Sequence, residues 1–135
     1  MCGGVSYKSN GKVIKTYFPI PMAQLPILKR DKSYEMLIWG RRREENGDFP
    51  LGGWARHESI QNGVWDKYQP QPVKIPIDSF MEKDKDRVSH WFDLEDGQFL
   101  QGLIAHLGQD RRIYVVTVEP KANAIHDRMP RVIST

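Results

Sequence analysis

The residue with the clearest chemical potential is Cys2, the only cysteine of the chain. Removal of Met1 would make it the first residue and set a thiol and a free α-amine on adjacent carbons. With a reference pKa of roughly 7.7 to 8.0, the amine is partly neutral near physiological pH, and a neighbouring ammonium lowers the thiol below its usual ~8.5. An aldehyde meeting this aminothiol is taken first by the amine as a Schiff base and then by the thiol, which closes a thiazolidine ring. Position alone nevertheless favours the plainer reading of a cysteine without a role, because a single Cys gains meaning only from suitable partners elsewhere.

Those partners would be a carboxylate and a histidine. The four histidines, His57, His90, His106 and His126, form no close pair, and the one cysteine is terminal, so no zinc site is expected. His126 differs from the others in lying in a predicted turn beside Asp127, Arg128 and Pro130. Loops held by a sheet commonly carry functional groups, although a capping or surface histidine fits this sequence equally well. Arg41-Arg42-Arg43 directly follows Trp39-Gly40. The run reads either as the wall of a phosphate groove with an aromatic at its edge or as a solvated charged face beside Glu44 and Glu45. Gly3-Gly4 and Gly52-Gly53 lack the lysine and helix context of a phosphate-cradling loop.

The elements that must position these residues are mostly short strands. Val5–Tyr7 and Lys12–Phe18, split by Ser9-Asn10-Gly11, predict a hairpin. Pro19, Pro21 and Pro26 predict an extended or irregular connection from Pro19 to Leu28 that still packs on the core. Tyr34–Trp39 reads as a mostly buried strand, and Ile60, Val64, Trp65 and Tyr68 fall near helical spacing within Glu58–Tyr68, with Gly63 against it. Val73–Ile77 alternates as a strand and leads through Asp78-Ser79-Phe80 to Met81 and Glu82. His90–Leu94 and Phe99–His106 predict a hairpin around Glu95-Asp96-Gly97, and Arg112–Val118 is a further β run. A turn over Lys121–Ala124 then leads to Ile125–Pro130.

With 135 residues, the chain is expected to form a single domain over 1–135. Its 39% hydrophobic and 27% charged residues are ordinary for a soluble globular protein, and 9 prolines with 11 glycines favour short elements joined by turns. The expected fold class is α+β, mainly antiparallel β, with a curled or barrel-like sheet and one or two short helices. A net charge of +3 fits a nucleic-acid partner without requiring one. No apolar run approaches a membrane span, no signal-peptide core is present, and one cysteine cannot form an internal disulfide, so a reducing, cytoplasmic setting is expected.

Several blocks, in order, resemble the SOS-response-associated peptidase (SRAP) domain. Met1-Cys2-Gly3 is similar to the family's start, Ile38-Trp39-Gly40 to its Trp-Gly strand end, and Trp54-Ala55-Arg56-His57-Glu58-Ser59 to its Asn-Ala-Arg-Xaa-Glu-Thr block. Val73 to Glu82 resembles the segment that finishes Gly-Phe-Xaa-Glu-Trp, and Phe92 to Ala105 resembles the hairpin after it. Val115-Val116-Thr117 through Ile125-His126-Asp127-Arg128-Met129-Pro130 is similar to the most specific block of the family. The resemblance is to a short and divergent member, with Trp54 at the family's Asn, Gly4 at the usual Arg, and an end soon after Pro130 where relatives continue.

This resemblance implies an SRAP-like fold and a protein of the DNA damage response that recognises abasic sites in single-stranded DNA. Cys2 would attack the ring-opened deoxyribose aldehyde after Met1 removal and shield the lesion as a covalent thiazolidine. By position, Glu82 would donate and accept protons, and His126 would be a second acid/base group near the sugar. Arg56 would hold backbone phosphate, Trp39 would shape or stack beside the strand, and Arg41, Trp54 and Arg128 complete the implied nucleic-acid contacts. The implied partner is single-stranded DNA containing abasic sites; no cofactor, metal or membrane is expected, a monomer is favoured with the oligomeric state left open, and the expected location is cytoplasmic, associated with the nucleoid during damage. Two alternatives stay open: a non-covalent single-stranded DNA-binding module, and a cysteine-dependent peptidase of the kind the family name suggests, with lyase or autoprocessing activity.

Overall fold

The computed structural model describes residues 3–120 and 128–135. Cys2 and His126, and with them the predicted turn over Lys121–Ala124, lie outside the described residues. In chain order the elements are β1 (Gly4–Ser9), β2 (Lys12–Tyr17), β3 (Gln24–Leu28), β4 (Tyr34–Ile38), β5 (Trp54–Arg56) and α1 (His57–Gln61). A 3-10 turn at Asp66–Tyr68 precedes β6 (Gln71–Ile75), β7 (Ser79–Lys83), β8 (Ser89–Asp93), β9 (Gln98–Leu107), β10 (Asp110–Val118), β11 (Met129–Pro130) and β12 (Val132–Ser134). Among the described residues the architecture is β-rich and mainly antiparallel with one short α-helix, within the expected α+β class.

The strands form two sheets. The smaller runs β2-β1-β7-β8, so the chain enters at its centre on β1. The expected β1–β2 hairpin is present and paired from Gly4↔Tyr17 to Ser9↔Lys12. It turns on Asn10 and Gly11, both at positive φ (51° and 78°), as a two-residue turn matched to strand twist requires. The larger sheet runs β11-β10-β9-β6-β3-β4, with β12 on β9 and β5 on β10. The β5–β10 pair is parallel, Trp54 to Val115 and Arg56 to Thr117. Beyond β4, Trp39 bridges Ile113 of β10, and the Gly40 amide donates to the Ile113 carbonyl at 2.8 Å. The large sheet therefore curls until its β4 edge meets β10. This contact is a lone bridge without a ladder, so the described residues form a curled sheet and no closed barrel.

Between the sheets lie Val5, Phe80 and Ile77 of the smaller side against Leu25, Ile27, Ile75, Leu100, Ile113 and Val115 of the larger. Burying each such side chain contributes about 1.5–3 kcal/mol relative to exposure. A second cluster of Phe49, Trp65, Leu103, Ala105, Tyr114 and Val116 covers the opposite face of β9 and β10, with Ile60 of α1 packed on it.

Four local expectations need correction. His90–Leu94 and Phe99–His106 do not pair: β8 pairs with β7 in the small sheet and β9 with β6, β10 and β12 in the large one. The turn signal is real, since Gln98 N–H bonds the Glu95 carbonyl, but it passes the chain between sheets. Pro19–Leu28 is not wholly irregular, because Gln24–Leu28 forms β3 with Pro26 inside it. On its far side β3 meets β6 only at Leu28↔Lys74, so no ladder donor is required there from Pro26. The helix over Glu58–Tyr68 is cut at Gly63 (φ 81°) into α1 and a 3-10 turn, and Val64 is exposed. Finally, β4 is an edge strand with Tyr34 and Met36 exposed, and only Leu37 within it is buried.

Candidate functional site at the entry of the small sheet

Gly3, just before the inner strand β1, is fastened on both sides. The Gly3 amide donates to the Met81 carbonyl, and its own carbonyl accepts from the Phe18 amide, both at 3.1 Å. Gly4 then pairs with Met81. Cys2 is bonded directly to this clamped residue, and the next residue along β7 from Met81 is Glu82.

Glu82 is a carboxyl in an apolar setting. It has no exposed surface and is paired with His90 across the β7–β8 ladder. Residues two apart on a strand share a face, so Glu82 faces the same side as Phe80, whose ring stacks on Phe92 at 5.3 Å. Burial pushes the Glu82 carboxyl up from 4.5 to about 7, against the opposing positive charge of the chain's amino terminus. A group poised there can both give and take a proton near neutral pH. His90 is held in turn by Asp84, with Nε2 2.8 Å from the carboxylate.

Arg128 ties the segment before β11 to α1 and β10. Its guanidinium donates to both oxygens of Glu58 at 2.9 and 3.2 Å and to the Thr117 carbonyl at 2.7 Å. The same contact holds the Glu58 carboxyl below its usual range, chiefly through the hydrogen bonds from Arg128. Arg128 is 7% exposed and forms this tie between α1 and β10. Arg56, at the end of β5 and preceding α1, is exposed and remains available to a phosphate.

Trp39 has no exposed surface, its indole N–H donates to the Gly53 carbonyl at 2.9 Å, and it meets Phe18 and Trp54 edge-on. Trp54 is half-buried, with its ring 4.9 Å from Phe18. Phe18 therefore links the Gly3 clamp to the two tryptophans.

The arginine run divides into different uses. Arg41 donates to the carbonyls of Phe49 (2.6 Å) and Glu45 (2.9 Å), so most of its function is to shape the loop after β4. Arg42 is buried, stacks 4.3 Å over Phe18, and donates to the Phe18 and Trp39 carbonyls at 2.7 Å each. All three arginines line an open pocket together with Phe18, Pro19 and Leu51, and Arg43 is the one left exposed. Residue type gave no sign that Phe18 and Arg42 would be central, because their partners lie in segments distant along the chain. Among the described residues no group of His, Cys, Asp or Glu is placed to hold a metal ion, and no helix is long and apolar enough to cross a membrane.

Comparison of this chain with family models, with curated proteins and with solved structures finds no match in any of the three.

Proposed function

We propose that this chain is a short SRAP-type protein that captures abasic sites in single-stranded DNA through an amino-terminal Cys2 exposed by removal of Met1. The observation that carries this reading is the placement of Glu82, a fully buried carboxyl raised to about 7, one residue along β7 from the Met81 carbonyl that anchors Gly3. A terminal aminothiol and an acid/base group matched to neutral pH are the two components that condensation with an aldehyde requires. The α-amine adds to C1 of the open sugar, the carbinolamine loses water, and the thiol adds to the resulting imine carbon. The sum is aldehyde plus aminothiol giving thiazolidine plus water. Glu82 in its acid form protonates the departing hydroxyl, and its carboxylate takes the proton released by the amine; such positioned transfer accelerates a step by roughly 10² to 10⁴. His126 is the second acid/base group of this proposal, and Arg56 its phosphate contact. A sugar without a base is cheap to splay outward, which favours an open single strand over a duplex.

The test is to incubate the mature protein with a single-stranded oligonucleotide bearing one abasic site and resolve the mixture under denaturing conditions. A DNA-linked band that disappears in Cys2→Ala supports the reading, and its absence from wild type rejects it. One observation favours the non-covalent module as second reading: Trp54 places an apolar ring packed on Phe18 where the family has a hydrogen-bonding amide. That module would bind the same oligonucleotide and leave no band.

A further inference from the structure

The outer face of the small sheet carries an aromatic patch directly above the strand that begins the chain. Register places Tyr17, Gly4, Met81 and Trp91 in one row across β2, β1, β7 and β8, and directly paired residues share a face. The backbones of Tyr17 and Trp91 are separated by three strand spacings, roughly 14 Å. Their ring centroids are nonetheless only 6.4 Å apart at 81°, so both rings lean inward over Gly4 and Met81. Gly4 is what admits Tyr17, since a Cβ there would come within 2.9 Å of Tyr17 Cδ1. Met81 is buried beneath, while Trp91 stays 37% exposed, with Lys15 Nζ 5.0 Å from its ring centroid. Alternation along the strands adds Lys8 and Lys83 to this face, with Asp93 as its acidic strand residue.

We propose that this patch is a stacking platform for a base of single-stranded nucleic acid, with Trp91 as its main surface, Tyr17 as its edge and Lys15 as the phosphate contact. It rests on the reading above for its biological setting, because it places a base next to the strand that carries the reactive end. The charge favours a polyanion over an apolar peptide, since lysines border the rings. Stacking of a base on an aromatic outweighs an exposed cation–π contact, so Lys15 is free to leave the indole for a phosphate as the base arrives. Trp39 has no exposed surface, Trp65 is buried, and the half-buried Trp54 packs on Phe18 and Trp39 away from this row, so Trp91 is the tryptophan whose emission an incoming base at this face would quench.

The experiment titrates the full chain with undamaged oligothymidylate at low salt and follows tryptophan emission. Wild type is expected to bind with quenching; Trp91→Ala should weaken binding about 5- to 150-fold and remove the quench. Lys15→Glu, on an exposed side chain that does not support the core, should weaken binding and flatten the salt dependence by about one phosphate contact. Wild-type affinity in both variants, or no wild-type binding, overturns the platform. So does a concentration-dependent dimer lost in Trp91→Ala with DNA affinity unchanged, which would make the patch a contact between copies. Undamaged DNA forms no adduct, so this result is independent of a parallel adduct assay on abasic DNA. Failure of that assay alone rejects the functional reading and leaves the platform standing.

Discussion

The amide of Gly3 donates to the carbonyl of Met81, which fastens Gly3 to the residue next to the buried carboxyl of Glu82. A strand that enters a sheet at its centre has neighbours on both sides, and here those neighbours are β2 and β7. The position of β1 is therefore set by two ladders, and Glu82 belongs to the strand of one of them.

Glu82 makes stability depend on pH with a defined sign. Its folded value is about 7 against an ordinary 4.5, so the folded state binds a proton more tightly than the unfolded chain. Its contribution is fully present below pH 4.5 and is lost as pH rises through about 7. Glu82→Gln, which stays neutral, should therefore match wild type below pH 4.5 and exceed it above pH 7 by about 3 kcal/mol. Denaturant unfolding at both ends of that window checks this, and an equal difference at the two pH values would contradict it.

The same substitution should cost activity while adding stability. With Glu82→Gln, adduct formation on abasic DNA should slow by roughly 10²- to 10⁴-fold. Single-turnover rates across pH should also lose the inflection near 7 expected of wild type.

Arg128→Ala should lower the melting temperature, because it releases the Glu58 carboxylate and the Thr117 carbonyl together. Arg128→Lys should recover only part of the loss, since an ammonium cannot serve both Glu58 oxygens in parallel. A phosphate-binding Arg128 would instead show unchanged melting and weakened DNA affinity.

Gly53 lies where Trp39, Phe18 and the backbone converge, and a Cβ there would come 2.5 Å from Trp39 Nε1 and 2.7 Å from Phe18 Cδ1. Gly53→Ala should destabilise by about 1–3 kcal/mol through overpacking, measured by chemical unfolding. A neutral effect would mean that the aromatic cluster yields easily.

Where local chemistry decides structure, the sequence was legible. Ser9-Asn10-Gly11 marks the β1–β2 turn because its two central residues need positive φ. Glu95-Asp96-Gly97 marks a turn equally well, yet the flanking strands separate because Leu94 N–H bonds the Asp78 carbonyl and β9 is claimed by β6, β10 and β12. Sheet membership is a long-range property that a turn signal does not carry. The candidate site divides in the same way. Glu82 came from the family resemblance, and its burial depends on partners distant in sequence. Trp39 looked like a stacking surface because aromatics beside arginines suit nucleic acid, but its indole N–H is taken by Gly53, fourteen positions on. The outer-face row of Tyr17 and Trp91 has no local sequence signal, because its members lie on strands from different hairpins.

The central claim is that a terminal aminothiol at Cys2 forms a covalent ring with an abasic sugar. Intact-mass measurement after mixing the Met1-processed protein with single-stranded abasic DNA tests it most directly. The expected species is one water lighter than the sum of protein and DNA, and it is absent both from Cys2→Ala and from protein that retains Met1. Unmodified protein and DNA masses from a mixture in which the two bind tightly would contradict it.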